Sequence, residues 1–306
     1  MSLLDSKKVS KKTEKVIVSV IIATFKRDIS LKKALESVIK QTYDSIEIIV
    51  VDDNADIGWN KIVREIINEI NQIKTILYIQ NETNKGSAET RNKGIKAASG
   101  EYITFLDDDD IYLPNKIKNQ VKYMLENGSD YSITDLNLYD ESGKLIEKRK
   151  RSYIKKGSKG DLLKYHLMYH LTGTDTMMFK RDFLLKIGGF PPVNVGDEFY
   201  LMQKAIETEG KFGYLPVCDL KAVVHTSSEG LSSGTSKIEG ENKLYEYKKG
   251  YFNLLRLNER KYITMRHYAV LAFAEIRRKN YINFFRYAIK SFISSPVNCI
   301  RLLIKI

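Results

Sequence analysis

The feature of the sequence that most constrains its fold is an alternation of short apolar runs with amphipathic helical segments. The run at 16–25 (VIVSVIIATF) is rich in β-branched residues and too short for a typical buried helix, so it predicts a strand buried on both faces. A helical pattern follows at 31–39, and a second strand is predicted at 46–51. The same alternation continues to a strand at 101–106. It predicts an α/β fold with a mainly parallel sheet and helices on both faces.

The pattern is less regular after residue 110. It predicts a helix from Pro114 to Leu125, a strand from Tyr131 to Tyr139 and a basic loop from Glu147 to Lys159. Further strands are predicted within 173–181 and 211–224, with a helix near 197–208 between them. From about residue 243 the sequence predicts basic, aromatic helices that Pro296 interrupts.

The net charge of +12 is concentrated at the two ends of the chain. Residues 16–242 carry 31 basic and 33 acidic side chains, whereas residues 243–306 carry 14 basic and three acidic ones. A nearly neutral body argues against a nucleic-acid groove, which needs a basic stripe on the folded surface. The last ten residues (VNCIRLLIKI) have the composition of a segment that lies at a membrane surface. An ordinary helical cap on the core is the alternative interpretation.

Other features bear on location and on domain organisation. No stretch reaches the roughly 18 apolar residues of a membrane-spanning helix, and the Lys-rich start lacks the apolar core of a signal peptide. The two cysteines fit neither a disulfide framework nor a metal-ligand spacing. We expect a cytoplasmic protein with peripheral contact at the inner face of the membrane, and the oligomeric state stays open. Three segments are expected: a flexible basic start at 1–15, an α/β domain at 16–242 and a basic helical region at 243–306.

An acidic run at the end of a predicted buried strand is the strongest functional signal. The segment GEYITFLDDDDIYLP contains four adjacent carboxylates, Asp107 to Asp110. Like charges crowded at one strand end are destabilising unless a cation neutralises them, and hard oxygen ligands favour Mn²⁺ or Mg²⁺. A solvated acidic turn that caps the following helix is the alternative.

Two weaker motifs accompany the acidic run. Asp197 and Glu198 open a predicted helix, where a carboxylate could act as a general base or could simply complement the helix dipole. In NKGSAETRNKG, Arg91 could contact phosphate or ribose oxygens, or could be an exposed arginine on a helix. His166 and His170 share a helical face but lack the third ligand of a zinc site, so we interpret them as packing residues.

Taken together, five motifs resemble those of family 2 glycosyltransferases, which have the GT-A fold. They are VSVIIATFKR, IIVVDDNADIG, NKGSAETRNKG, GEYITFLDDDD and GDEFYLM, in the order and approximate spacing of that family over residues 16–205. The resemblance implies a GT-A-like (Rossmann-like) domain with a C-terminal helical extension. It also implies an inverting, metal-dependent transfer of a sugar from a nucleotide-sugar to an acceptor hydroxyl.

The resemblance also implies roles for individual residues. On the donor side, residues would contact the base, ribose or phosphates: Thr24, Phe25, Asp53, Arg91, Asp107 and Asp108. Asp109 would be the most direct metal ligand, with Asp107 and with His225 near the metal or diphosphate; a structural role is the alternative for His225. The base would lie in the 197–198 pair, where this chain has Asp then Glu instead of Glu then Asp, which leaves the base ambiguous with a lean to Glu198.

We therefore expect a UDP-sugar donor and a saccharide or lipid-linked glycan acceptor in cell-surface polysaccharide synthesis. A sugar-phosphate nucleotidyltransferase is the enzymatic alternative, although TFKRD lacks the glycine-rich loop that such an enzyme would have after its first strand. A catalytically inactive glycan-binding or scaffold protein is the other alternative.

Overall fold

The computed structural model describes residues 16–193, 195–224 and 235–304. The strands are β1 (Val18–Thr24), β2 (Ile46–Asp52), β3 (Ile76–Gln80), β4 (Tyr102–Phe105), β5 (Ile111–Tyr112), β6 (Tyr131–Thr134), β7 (Leu136–Asp140), β8 (Leu145–Arg149), β9 (Met178–Lys180), β10 (Phe212–Leu215) and β11 (Leu220–Val224). The helices are α1 (Ile29–Ile39), α2 (Ile57–Asn71), α3 (Gly86–Ala97), α4 (Lys116–Asn127), α5 (Lys159–Tyr169), α6 (Arg181–Lys186), α7 (Asp197–Glu207), α8 (Thr235–Lys249), α9 (Leu257–Arg277), α10 (Tyr281–Ser294) and α11 (Pro296–Ile304). A 3-10 turn spans Thr174–Thr176.

A seven-stranded, mostly parallel sheet with the order β10-β6-β9-β4-β1-β2-β3 forms the centre of the fold. Side chains of β1 alternate between two apolar clusters: Val20 and Ile22 pack on one side of the sheet and Ile21 on the other. Burial of both faces explains why this strand has a continuous apolar run. The predicted fold class is therefore confirmed.

The sheet order gathers the ends of three strands that carry the predicted site residues. β4, β1 and β2 are parallel neighbours, and Thr24 lies opposite Asp52 in the register. The carboxyl ends of parallel neighbours lie on one edge of a sheet, which is where α/β folds bind ligands. Residues that follow β1, β2 and β4 consequently share this edge.

The region after β5 differs from the prediction in three places. The single strand predicted from Tyr131 to Tyr139 is two strands, because buried Asp135 separates β6 in the central sheet from β7 in a second sheet with the order β5-β11-β7-β8. The predicted loop from Glu147 to Lys159 is wrong at its start, since 147–149 complete β8. This strand is exposed throughout, so it lacks the apolar alternation that marks a strand. α5 and α6 were not predicted.

The C-terminal helices pack on the α/β body. Leu244 of α8 and Ile263 of α9 belong to the same buried cluster as Ile21 and Phe105 of the sheet. The boundary expected at residue 242 falls within α8. Within the described residues, no helix is long and apolar enough to cross a membrane.

Candidate active site

Two hydrogen bonds connect the acidic loop after β4 to neighbouring elements. The backbone N–H of Asp107 donates to Asp175 Oδ1 at 2.7 Å, and the N–H of Val223 donates to Asp110 Oδ1 at 2.8 Å. Asp110 and Asp175 are each only 5% exposed. These contacts tie the loop to the 3-10 turn and to β11.

The carboxylates of this loop differ in their access to solvent. The side chain of Asp107 is 34% exposed, those of Asp108 and Asp109 are 14% and 18% exposed, and Asp110 is buried. Burial and neighbouring Asp175 raise the pKa of Asp107 to about 7, although Arg91 opposes this shift. Burial and Asp109 raise the pKa of Asp108 to about 6. Burial and the neighbouring carboxylates thus both favour the protonated form of these two side chains.

Three carboxylates of this region lie close enough together to be able to hold a cation. Carboxylate oxygens of Asp107, Asp110 and Asp175 lie within 4.8 Å of one another, and this is the only such group among the described ranges. The group includes one of the predicted metal ligands, Asp107, but not Asp109. His225, the third predicted ligand, lies outside the described residues.

The end of β1 contacts the same loop. The backbone N–H of Phe25 donates to Asp108 Oδ2 at 3.1 Å, and Arg27 Nη2 donates to Asp109 Oδ2 at 2.9 Å. Phe25 is 45% exposed, and Lys26 Nζ lies 5.2 Å from the centre of its ring. Thr24 is buried.

Arg91 of α3 joins the acidic loop to the start of α7. Its Nη2 donates to Asp107 Oδ1 at 2.6 Å, and its Nη1 donates to Asp197 Oδ2 at 3.0 Å. The Arg91 side chain is only 11% exposed. A planar guanidinium can hold two carboxylates at fixed angles, so this residue sets the spacing between the two acidic motifs.

The two carboxylates at the start of α7 have different surroundings. Asp197 is 6% exposed and accepts hydrogen bonds from Arg91, the Ser87 hydroxyl and the N–H of Glu198. Glu198 is partly exposed. Burial, with the adjacent Asp197, raises the pKa of Glu198 to about 8, and Arg91 only partly opposes this.

Asp53 fixes the loop that precedes α3. Its carboxylate accepts from the backbone N–H groups of Lys85 and Gly86 at 2.8 and 2.9 Å, and from Asn81 Nδ2 at 2.8 Å. Gly86 has a φ of +78°, a conformation that favours glycine. These hydrogen bonds hold the turn that leads into α3, the helix that carries Arg91.

Sequence reasoning missed two residues that the structure places in the site. Arg27 is visible in TFKRD as a cation directly after the first strand, and that position was a usable signal. Asp175 offered no signal, because it reaches the acidic loop only through the antiparallel pairing of β9 with β4. His166 packs as expected: it is fully buried and bonded to the carbonyl of Phe199 at 2.9 Å.

Comparison with known proteins gives a consistent family assignment. The model of the family described as "Glycosyl transferase family 2" matches residues 19–185. An uncharacterized glycosyltransferase of Methanocaldococcus jannaschii is 33% identical over 238 residues, which are 76% of this chain and 78% of that protein.

Two further proteins have described ligands or activities. The Escherichia coli protein WfaP, named as a UDP-Glc:α-D-GlcNAc-diphosphoundecaprenol β-1,3-glucosyltransferase, is 41% identical over 109 residues, or 35% of this chain and 41% of WfaP. The chain therefore matches less than half of that enzyme's length. The structure of Staphylococcus aureus TarS 1-349 in complex with UDP-GlcNAc has a TM-score of 0.62 at 18% identity, with 91% of each chain covered. This similarity shows the GT-A-like fold.

Proposed function

This chain belongs to glycosyl transferase family 2 and is a glycosyltransferase, and from that premise we propose an inverting, metal-dependent transfer from a UDP-sugar to an acceptor hydroxyl. The two named proteins that use a UDP-sugar or are bound to one support a UDP donor. The single observation that carries the proposal is the contact of Arg91 with both Asp107 and Asp197. One rigid cation connects the acidic loop, which would receive the diphosphate, to the helix start that would activate the acceptor.

The residues of the acidic loop suit a divalent cation. Asp107 and Asp109 offer partly open carboxylate oxygens, the ligand type that Mn²⁺ and Mg²⁺ prefer. Burial and the neighbouring Asp175 raise the pKa of Asp107, and a bound cation would favour its ionised form. We propose that Asp107 and Asp109 hold this cation, with His225 as a further ligand, because Asp110 and Asp175 are each only 5% exposed and already accept backbone N–H groups that support the loop. When bound, such a cation would neutralise charge on the departing diphosphate.

The chain's own residues supply the remainder of the donor site. The partly exposed ring of Phe25 is suited to stack on a nucleotide base, and we propose Thr24 and Asp53 as further contacts of the base. Asp108 accepts the Phe25 N–H and thereby fixes the backbone at the end of β1. Arg27 lies against Asp109 at 2.9 Å, where it can turn towards phosphate oxygens. Arg91 is proposed to contact the ribose or phosphates from the opposite side.

Glu198 is the proposed general base. A base must be near the attacking hydroxyl and must have a pKa close to the working pH. The pKa of Glu198 is raised to about 8 and its side chain is partly exposed. Asp197 already accepts three hydrogen bonds, which suits a positioning role. Removal of the acceptor proton by Glu198 lets the hydroxyl attack the anomeric carbon from the face opposite the leaving diphosphate, which inverts that centre.

The acceptor is proposed to be a saccharide or a lipid-linked glycan in cell-surface polysaccharide synthesis. The name of WfaP describes a diphosphoundecaprenol-linked acceptor for that relative. In this chain α10 and α11 expose an apolar surface beside basic residues: Ile282 is 84%, Phe285 61% and Ile293 72% exposed. Basic and apolar side chains on one surface favour contact with anionic lipid. We propose that the enzyme works in the cytoplasm, peripherally at the inner face of the membrane.

Hydrolysis of UDP-sugars in the presence and absence of Mn²⁺ tests this function. We expect Mn²⁺-dependent UDP release by the parent protein, and a loss of about 100-fold or more for Asp109→Ala, because a cation ligand and its charge are removed. Asp161→Ala, an aspartate at the start of α5, is the matched control. Equal turnover with and without Mn²⁺, or no loss in Asp109→Ala, would contradict the proposal.

A further inference from the structure

A cavity of about 150 Å³ lies between α5, α8 and α9, apart from the acidic loop. A single water requires about 10–15 Å³ of cavity volume, so this space can hold a larger polar group. One part of the wall is apolar, formed by Leu167, Met168, Leu244, Tyr245, Ile263 and Val270. The remainder consists of titratable side chains: His170, Lys237, Glu241, Lys248, Arg266 and His267.

The charges on this wall are not balanced. Lys237 pairs with Glu241 at 2.7 Å, and Glu241 is the only carboxylate on the described wall. Lys248 is only 7% exposed, and neither it nor Arg266 has a carboxylate within 4.0 Å among the described residues. Burial of a cation without a partner costs several kcal/mol. Lys248 is thus a buried cation without an ion-pair partner among the described residues, and the partly exposed Arg266 adds a second positive charge to the same wall.

Two imidazoles in the cavity wall, those of His267 and His170, also determine what the cavity can bind. His267 is 9% exposed, and its buried Nδ1 has no hydrogen-bond partner within the described part of the chain. Lys248 Nζ contacts His170 Nε2, which is a neutral partner for a cation. Burial lowers the pKa of Lys248 to about 7, with a contribution from Arg266 that Glu241 opposes. An anion in the cavity would neutralise Lys248 and Arg266 and could accept from His267.

The cavity lies next to the helix that carries the proposed base. Lys248 Nζ is 5.0 Å from the centre of the Phe199 ring, and Phe199 directly follows Glu198. The ring of His170 is 4.9 Å from the same ring. A group held by Lys248 would therefore be separated from the start of α7 by one aromatic side chain.

We propose that this cavity binds a phosphoryl group, held by Lys248, Arg266 and His267. Two cations and an imidazole suit a phosphoryl group, which has several anionic oxygens, better than they suit a ligand with a single carboxylate. The phosphoryl group belongs either to a phosphorylated acceptor or to free phosphate. The first source rests on the proposed function, since it places an acceptor phosphate near the helix that carries Glu198.

Inorganic phosphate tests the site itself, in metal-free buffer at constant ionic strength. We expect phosphate to raise the melting temperature of the parent and of Lys249→Met, whose lysine lies on the same helix but is exposed and paired with Glu246 at 2.6 Å. Lys248→Met should fold, because an apolar side chain replaces a buried cation. It should bind phosphate at least about tenfold more weakly by calorimetry.

Arg266→Gln is a second variant that tests the same site. It should weaken phosphate binding by a similar factor. The proposal is overturned if phosphate does not stabilise the parent, if Lys248→Met and Arg266→Gln bind it as well as the parent, or if acetate stabilises the parent equally.

Acceptor kinetics separate the two sources of the phosphoryl group. If the acceptor supplies it, Lys248→Met should raise KM for a diphosphate-linked saccharide about tenfold, but not KM for the same saccharide without phosphate. If Lys248→Met weakens phosphate binding but changes KM equally for both saccharides, the site is assigned to free phosphate. If the parent shows Lys248-dependent phosphate binding but no sugar transfer, the anion site stands and the proposed function fails.

Discussion

Asp197 and Glu198 are adjacent in the chain, yet their carboxylates have different surroundings at the start of α7. Asp197 lies against Arg91, a hydroxyl and a backbone N–H, all of which stabilise its negative charge. Glu198 lies beside that negative charge and is desolvated, so its proton is retained to a higher pH. At this scale, the sequence predicted that the base was one of the two residues, but their different contacts come from α3, which is distant in the sequence.

Replacing each of these carboxylates by its amide should separate their roles. We expect Glu198→Gln to lower kcat by about 10²–10⁴-fold, because the acceptor proton loses its base, while UDP affinity stays unchanged. Glu207→Gln, an exposed glutamate at the other end of the same helix, is the control. Initial rates and UDP titrations measure both effects; full activity in Glu198→Gln would assign the base elsewhere.

The pH dependence of the same variants gives a second check. A base must be ionised, and the pKa of Glu198 is raised to about 8. The value of kcat/KM should therefore fall about tenfold for each pH unit below about 8 and level off above it. A profile that is flat from pH 6 to 9 would be inconsistent with this assignment.

Arg91 should affect stability as well as activity. Arg91→Leu leaves Asp107 and Asp197 without their shared cation, and removing one partner from a largely buried ion pair costs about 3 kcal/mol. Arg64→Leu removes an exposed arginine and should change stability by no more than about 0.5 kcal/mol. Urea denaturation at neutral pH compares the two; equal midpoints would show that Arg91 contributes nothing to holding the motifs together.

At the scale of single elements, α3 reaches its position because it approaches the sheet closely. A Cβ at Gly94 would lie 2.5 Å from Ile21 Cγ2, so only glycine allows this helix to contact β1 at that distance. The sequence predicted the helix and its arginine but not this contact, because a glycine inside a helix has no distinctive pattern. The contact determines how far Arg91 reaches across the site.

Gly94→Ala should therefore destabilise the protein by about 1–3 kcal/mol, since the added methyl group overpacks the core. Gly160→Ala is the matched control, because Gly160 is also helical and a Cβ there would contact nothing within 4 Å. That control should be neutral or stabilising by up to about 1 kcal/mol. Thermal melts measure both effects. Equal melting temperatures of the two variants would show that α3 can shift away from β1 without loss of stability.

The second element with a testable role is the pair α10 and α11. Their exposed isoleucines and phenylalanines belong to neither of the two core clusters. Only a surface outside the described residues could bury these side chains. Ile293→Glu should weaken binding to anionic phospholipid vesicles about tenfold at low salt. Ile73→Glu, at a site of equal 72% exposure after α2, is the control. Equal vesicle binding of both variants and the parent would contradict the proposed membrane contact.

At the scale of the whole molecule, the order of strands brings the site together. The sequence predicted the parallel sheet and the residues at the ends of β1, β2 and β4, because their apolar runs are local signals. It could not predict Asp175 or the split at Asp135, because both depend on pairings between strands distant in the chain. The cavity at Lys248 likewise forms only when α8 packs against α5 and α9.

The central claim is that the acidic loop binds a divalent cation together with the diphosphate of the donor. A crystal soaked with UDP and Mn²⁺, measured for anomalous scattering from manganese, tests it most directly. We predict one anomalous peak within coordination distance of Asp107 and Asp109, with UDP beside it. Bound UDP without a peak there, or a peak at a different group of carboxylates, would contradict the account.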